Sequence, residues 1–146
     1  MKNIRVEVYW NLHKRLFSVR ALEGENKGRV IDHSYGVRLS DATFVSQPAG
    51  RERVRREGVK NVHAFVRGHM EHYDIQTGVL PLDVERHGVT TKGVTYNPYK
   101  YDTFVEVGTE KPVHHANMVL MDVMLGGGKP YPRITRIDKS PEAVTL

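Results

Sequence analysis

A histidine, an aromatic ring and an arginine occupy alternate positions in the stretch NVHAFVRG. If this stretch is a β-strand, then His63, Phe65 and Arg67 project from the same face. Such a face has the groups that RNA cleavage without a metal requires: an imidazole that acts as acid or base, a cation that stabilises the charge on the phosphate, and a ring that stacks on an unpaired base. We therefore assign His63 as the candidate acid/base and Arg67 as the candidate catalytic cation.

The segment before this strand is rich in basic residues. Residues 51–67 carry six basic residues against two acidic ones, which accounts for most of the net charge of +5. A local basic patch attracts polyanions, and nucleic acid is the usual one. The alternative is a solvent-exposed helix face that only aids solubility. The candidate nucleic-acid-binding residues are Arg51, Arg53, Arg55, Arg56, Lys60, Phe65, Tyr96 and Tyr99.

A second catalytic group is not fixed by the sequence, and His33, His69 and Glu106 all stay open. The group His69-x-x-His72 with Asp74 lacks the spacing of the specific zinc signatures. The glycine-rich motifs of nucleotide-binding folds are absent from the sequence. We therefore expect neither a bound metal nor a cofactor.

Length and composition predict one soluble globular domain. The chain has 146 residues, of which 39% are hydrophobic and 27% are charged. We expect a single domain over residues 1–139 and a loose tail over 140–146. No run of eighteen apolar residues occurs, so we expect no membrane span. The lack of cysteine excludes disulfides and fits a reducing cytoplasm.

Hydrophobic alternation predicts mostly strands. In RVEVYWNL the residues Val6, Val8, Trp10 and Leu12 share one face, and LFSVRAL continues the alternation after a polar turn, which indicates a hairpin. Further extended stretches are predicted over 37–45, 94–107 and 117–125. The glycine-punctuated residues 69–93 indicate a long loop or an irregular hairpin.

One helix is predicted between Pro48, which suits a first helical turn, and Gly58, which suits the position after a helix end. The helix is short and barely amphipathic. The expected fold is therefore α+β: a twisted antiparallel sheet with one short basic helix packed on or beside it.

Three stretches carry a resemblance to a known family: GRVIDHSYGVRLSDATFV, AGRERVRREGVKNVHAFVRG and TYNPYKYDTFV. Together they resemble a family of small bacteriophage and prophage proteins, from Tyr9 to Phe104, with AGRxRVxREGxKNVHAFVxG as the specific core. This resemblance implies no activity. In element order and residue types the chain also resembles the barnase–EndoU–colicin–RelE group of metal-independent RNases, which implies RNA cleavage on the exposed sheet face.

These observations lead to one functional hypothesis and its alternatives. The first is a small basic phage-type protein that acts on nucleic acid, RNA more than DNA, with metal-independent RNA cleavage through His63. The alternatives are a non-catalytic phage accessory protein that binds and inhibits a host enzyme or nucleic-acid complex, and a virion component. The partner is then nucleic acid or a host protein, without a membrane, in the cytoplasm of the host cell if the protein is phage-encoded. The residues leave open whether the protein is an enzyme.

Overall fold

The computed structural model describes residues 4–71 and 89–139, and within these ranges it contains nine strands and one helix. In chain order they are β1 (Arg5–Asn11), β2 (Leu16–Ala21), β3 (Val30–Ser34), β4 (Gly36–Ser46), α1 (Pro48–Glu57), β5 (Ala64–Glu71), β6 (Val89–Thr95), β7 (Val105–Glu106), β8 (His115–Met124) and β9 (Tyr131–Lys139). The protein is therefore mainly β, and the prediction of an α+β fold is wrong.

All nine strands belong to one antiparallel sheet, in the order β3-β2-β1-β5-β4-β8-β9-β6-β7. The sheet curls, because Phe17 on β2, Val94 on β6 and Met121 on β8 lie in one buried cluster although their strands are distant in the sheet order. A sheet that closes one face on itself needs no helical layer to bury that face. This explains why the α+β prediction fails: Val54 is the buried residue that α1 contributes.

The inward face follows the alternation of the sequence. Val19, Val8, Val66 and Phe44 are successive cross-strand partners on β2, β1, β5 and β4, and all four are buried. Cross-strand apolar neighbours of this kind are what fix the register of a half-buried sheet. The predicted inward face of the first strand is confirmed at Val8 and continues at Trp10, which packs against the same core.

Two distant turns meet at one end of the sheet. In the turn between β1 and β2, the Arg15 guanidinium donates a hydrogen bond to the carbonyl of Pro130, which precedes β9. The same guanidinium lies 5.5 Å from the centroid of the Trp10 ring. This contact joins the two halves of the curled sheet.

The extended stretch predicted over 117–125 is confirmed as the greater part of β8. The predicted loop over 69–93 is shorter, because residues 69–71 continue β5 and residues 89–93 begin β6. Residues 72–88, with His72 and Asp74, lie outside the described residues, and so does the predicted tail 140–146. Among the helices that the structure describes, none is long and apolar enough to cross a membrane.

The predicted helix is confirmed between its two signals. Pro48 lies in the first turn, and Gly58 adopts the left-handed conformation (φ 66°) while its N–H donates to the carbonyl of Val54. At its N-terminal end the helix packs closely against His63, the residue that precedes β5. A Cβ atom on Gly50 would lie 2.6 Å from the Cβ of His63, so only glycine permits this approach.

Replacing Gly50 by alanine should destabilise the protein. Alanine normally favours a helix by up to about 1 kcal/mol over glycine. At Gly50 the clash with the rigid stem of His63 outweighs that gain, and overpacking of this kind costs roughly 1–3 kcal/mol. Urea unfolding of Gly50→Ala measures the effect. Gly128→Ala is the matched control because open space surrounds Gly128. Equal stability of the two variants would contradict this close approach.

Candidate functional site

The inner face of the curled sheet encloses an open cavity of about 690 Å³. Its walls are mainly apolar side chains from strands β1, β2, β5, β6, β8 and β9. The aromatic residues among them include Trp10, Phe17 and Phe104. Neither Trp10 nor the inward side of β1 was assigned to a site from the sequence, because strand alternation indicates burial without showing what the buried face surrounds.

The mouth of the cavity lies where α1 ends. Residues 58–62, together with Tyr99 and the turn between β1 and β2, complete its lining. Several of these residues are apolar and exposed: Leu12 and Val62 are each 44% exposed, and Tyr99 is 66% exposed. Exposed apolar groups around a concavity are typical of binding sites rather than of plain surface.

His63 is buried beside this mouth and both of its ring nitrogens are engaged. Nδ1 lies 2.9 Å from the carbonyl oxygen of Asn61, which only accepts, so Nδ1 carries the proton in the neutral ring. Nε2 then accepts a hydrogen bond from the Tyr96 hydroxyl at 2.9 Å. The Ser46 hydroxyl in turn donates to the Tyr96 oxygen at 3.2 Å. The result is a chain of hydrogen bonds from Ser46 through Tyr96 and His63 to Asn61.

An aromatic cluster supports this chain of hydrogen bonds. The rings of His63 and Tyr96 meet edge to face with centroids 5.5 Å apart. The Tyr96 ring packs on Phe104 at 5.1 Å, and Phe104 packs on Phe44 at 5.2 Å. Tyr96 therefore links the core to the mouth. Tyr96 is one of the residues that were predicted to bind nucleic acid.

Two of the predicted nucleic-acid-binding arginines hold a neighbouring loop. Arg51 donates to the carbonyl of Asp102 at 2.7 Å. Arg55 donates to the carbonyls of Pro98 and Tyr101, and its Nη2 lies 3.3 Å from the Asp102 carboxylate. These contacts fix the loop that presents Tyr99 at the mouth.

The other three basic residues that were predicted to bind nucleic acid face solvent. The side chains of Arg53 and Arg56 are 58% and 68% exposed, and Lys60 is exposed at the mouth of the cavity. Glu57 offsets part of their charge, because its carboxylate lies 3.1 Å from Arg53 and 3.9 Å from Arg56. The predicted basic residues therefore fall into two groups. Arg51 and Arg55 anchor the loop, whereas Arg53, Arg56 and Lys60 are exposed to solvent.

The carboxylate of Glu110 holds the turn that follows Tyr99. Glu110 accepts a hydrogen bond from the Tyr101 hydroxyl at 2.8 Å and pairs with Lys100 at 3.1 Å. The Tyr101 hydrogen bond, followed by that of Lys100, lowers the pKa of the Glu110 carboxyl. The carboxylate is therefore ionised over the working pH range and keeps the turn in place.

Phe65 and Arg67 project from the same side of β5, as the alternation predicted, and Phe65 is buried and contributes to the lining of the cavity. The Arg67 guanidinium lies 4.9 Å from the centroid of the Phe65 ring, and its Nε donates to Glu7 at 3.2 Å. Glu7 is buried and also accepts from Arg20 at 3.2 Å. Arg67 and His63 therefore have different partners: Arg67 binds a carboxylate on β1, whereas His63 binds Tyr96 and Asn61.

Two of the three residues left open as a second catalytic group have side-chain partners of their own, and the third is placed by strand pairing. His33 Nδ1 lies 3.0 Å from the Ser18 hydroxyl on the outer side of the sheet, and Glu106 accepts from Thr109 at 3.0 Å. His69 lies on β5 opposite Arg5 of β1. Among the residues that the structure describes, no group of three or more His, Cys, Asp or Glu is placed to hold a metal ion.

Sequence reasoning missed Ser46 and Asn61, which complete the hydrogen bonds of Tyr96 and His63. Ser46 follows a predicted strand directly, but its residue type does not identify a partner fifty residues away. Asn61 accepts through its backbone carbonyl, which every residue has, so its side chain gives no signal of this bond.

The fold and the site together define a small, mainly β protein with an open, largely apolar cavity. Residues 1–124 match the family model described as "Mycobacterium phage L5 gene 82 protein". The chain is also 44% identical to the "Gene 82 protein" of Mycobacterium phage L5 over 126 residues, which covers 82% of this chain and 91% of that relative. No solved structure matches.

The chain therefore belongs to the Mycobacterium phage L5 gene 82 protein family. The predicted resemblance to phage proteins is confirmed, and a phage gene product is what the comparisons show. The resemblance to the barnase–EndoU–colicin–RelE group receives no support from them.

Removing the Tyr96 hydroxyl should destabilise the protein. In Tyr96→Phe the Nε2 atom of His63 loses its donor and Ser46 loses its acceptor. A buried polar group left unsatisfied costs roughly 1–3 kcal/mol. Thermal and urea unfolding measure this loss. Tyr99→Phe is the control, because the Tyr99 hydroxyl has only a 3.5 Å contact with Val54 and the ring is exposed. Unchanged stability in Tyr96→Phe would show that this hydrogen bond is not made.

Proposed function

We propose that this protein is a non-catalytic phage accessory protein that binds single-stranded nucleic acid, RNA more than DNA, in the cytoplasm of the host cell. The observation that carries the proposal is the exposed ring of Tyr99, which lies at the same cavity mouth as the cation of Lys60. An exposed aromatic ring beside cations is the arrangement on which single-stranded nucleic acid stacks.

The loop that carries Tyr99 is held firmly, which favours stacking. Arg51 and Arg55 bind three of its backbone carbonyls, those of Pro98, Tyr101 and Asp102. A ring that is already fixed loses little conformational freedom when a base stacks on it. Arg51 and Arg55, two of the residues predicted to bind nucleic acid, thus support the proposed site by positioning its ring.

Arg53, Arg56 and Lys60 supply the exposed cations. Each cation that neutralises a phosphate of a single strand contributes about −0.7 to the slope of log K against log salt. If all three bind phosphate, the slope is about −2. The neighbouring Glu57 reduces the local potential, so we expect modest affinity and a salt slope no steeper than about −2.

The hydrogen bonds of His63 favour binding over cleavage. Its Nε2 atom accepts from Tyr96 and its Nδ1 atom donates to Asn61, so neither nitrogen is directed at a substrate. A general base must reach the proton that it removes. RNA cleavage with His63 as acid/base and Arg67 as the catalytic cation remains a prediction, and it requires the bond to Tyr96 to break.

A binding experiment with matched variants tests the proposal. The wild-type protein is titrated with a labelled single-stranded RNA of mixed sequence across a salt series. Replacing Arg53, Arg56 and Lys60 together by alanine should reduce the steepness of the salt slope by about 2. Replacing Lys27, Arg29 and Lys129 by alanine is the control, because it removes the same charge from other exposed positions. Equal slopes in both triple variants would overturn the proposed surface.

Tyr99→Ala tests the stacking part of the proposal. Loss of one stacked base costs roughly 1–3 kcal/mol, so the affinity should fall about tenfold or more at fixed salt while the slope stays the same. Tyr35→Ala is the control at another exposed tyrosine. Gel analysis of the same RNA in EDTA distinguishes cleavage, which His63→Ala would abolish. If the RNA is neither bound nor cleaved, the partner is a host protein or another virion subunit.

A further inference from the structure

We infer that the cavity is a second binding site, for a small amphipathic anion with an apolar chain and a carboxylate head, of the size of a medium-chain fatty acid. This inference does not rest on nucleic-acid binding, because it concerns the inner wall of the sheet. Lys60 and Tyr99, which the RNA experiments change, lie at the mouth of the same cavity, and the wall lies deeper.

The wall of the cavity suits an apolar chain. Trp10, Phe17, Val94, Met121 and Ile134 reach it from five different strands. All five residues belong to the buried core or pack against it, and Trp10 meets Phe17 edge to face at 5.1 Å. An apolar molecule placed here would exchange water for hydrocarbon on most sides, which is the main source of affinity in such sites.

The volume also fits this class of ligand. Sites for small molecules are usually clefts of about 300–1,000 Å³, and the cavity measures about 690 Å³. A single buried water or a gap between side chains is far smaller, on the order of 30 Å³. The space therefore exceeds what imperfect packing of the sheet produces.

The charges around the cavity favour an anionic head. None of the described residues that line the cavity is Asp or Glu, although the chain contains 17 acidic residues. Lys60 and His13 belong to the lining and both are exposed, so they are at the solvent side. A carboxylate that stays near the mouth meets the Lys60 cation without having to be buried, which avoids the large desolvation cost of a charge.

The exposed apolar groups at the mouth complete this arrangement. Leu12, Val59 and Val62 line the cavity and are exposed to solvent. They flank the path along which an apolar chain would enter. A ligand with a head and a chain would cover these side chains and bring its head to Lys60.

Trp10 provides a direct signal for occupancy. It is the one tryptophan of the chain, and it lines the cavity. The experiment follows Trp10 fluorescence while octanoate or decanoate is added below its micelle-forming concentration, or decanol below its solubility limit. We expect a saturable change with decanoate. Because each buried methylene contributes about 0.8 kcal/mol, the affinity should rise roughly fourfold per added carbon. Decanol should bind more weakly than decanoate.

Two pairs of variants locate the ligand. Ala64 faces the cavity, so Ala64→Phe should fill part of it and lower the affinity for decanoate by about tenfold or more. Ala49→Phe makes the same change at an exposed position of the helix and should bind like wild type. Lys60→Glu should weaken decanoate binding by roughly fivefold and leave decanol binding unchanged. Lys27→Glu alters the net charge equally and should have no effect.

The outcomes separate the parts of the inference. A saturable signal that depends on chain length and is lost in Ala64→Phe supports the cavity as the site. Absence of any Trp10 response, or equal affinity for octanoate and decanoate, would overturn it. Equal binding of decanoate and decanol, unaffected by Lys60→Glu, would overturn the anionic head. RNA binding is measured on the same Ala64→Phe preparation and should be retained, so failure of the cavity and failure of the nucleic-acid surface are distinguishable.

Discussion

The structure depends on one constraint: a single antiparallel sheet must bury its inner face against itself. Strand β2 is distant in the sheet order from β6 and β8, yet all three contribute side chains to the same core. Arg15 joins the two halves of the curled sheet through the carbonyl of Pro130. A sheet that curls around its own inner face packs tightly where side chains meet and leaves space where they do not reach. The cavity follows from this geometry.

The helix and the Tyr99 loop form a second layer of organisation around the mouth. Gly50 lets α1 approach His63 closely, and Arg51 and Arg55 fasten the loop to the helix. His63 then binds Tyr96, whose ring packs into the core through Phe104. The close approach at Gly50 and the hydrogen bonds of Arg51 and Arg55 thus join the helix to its surroundings, and aromatic packing joins Tyr96 to the core. His63, the candidate acid/base, thus takes part in joining these parts of the fold, whereas Arg67 pairs with Glu7 on β1.

Local features of the sequence predicted local structure well. Pro48 and Gly58 set the helix ends, and the alternation around Val8 set the inward face of β1, because backbone and solvent preferences of neighbouring residues decide both. Features that depend on distant partners were not predictable. Tyr96, which donates to His63, is 33 residues away from it along the chain. Pro98 and Tyr101, which accept from Arg55, are more than 40 residues away from it. The α+β assignment failed for the same reason, since curling is a property of strand order.

The central claim is that one curled sheet encloses an apolar cavity, and a crystal exposed to xenon under pressure tests it most directly. Xenon enters apolar cavities and is visible in electron density. The account predicts a xenon site within contact of Trp10, Phe17 and Met121, with the surrounding strands unmoved. Contact between Trp10 and Met121 across a closed interior, with no xenon between them, would contradict it.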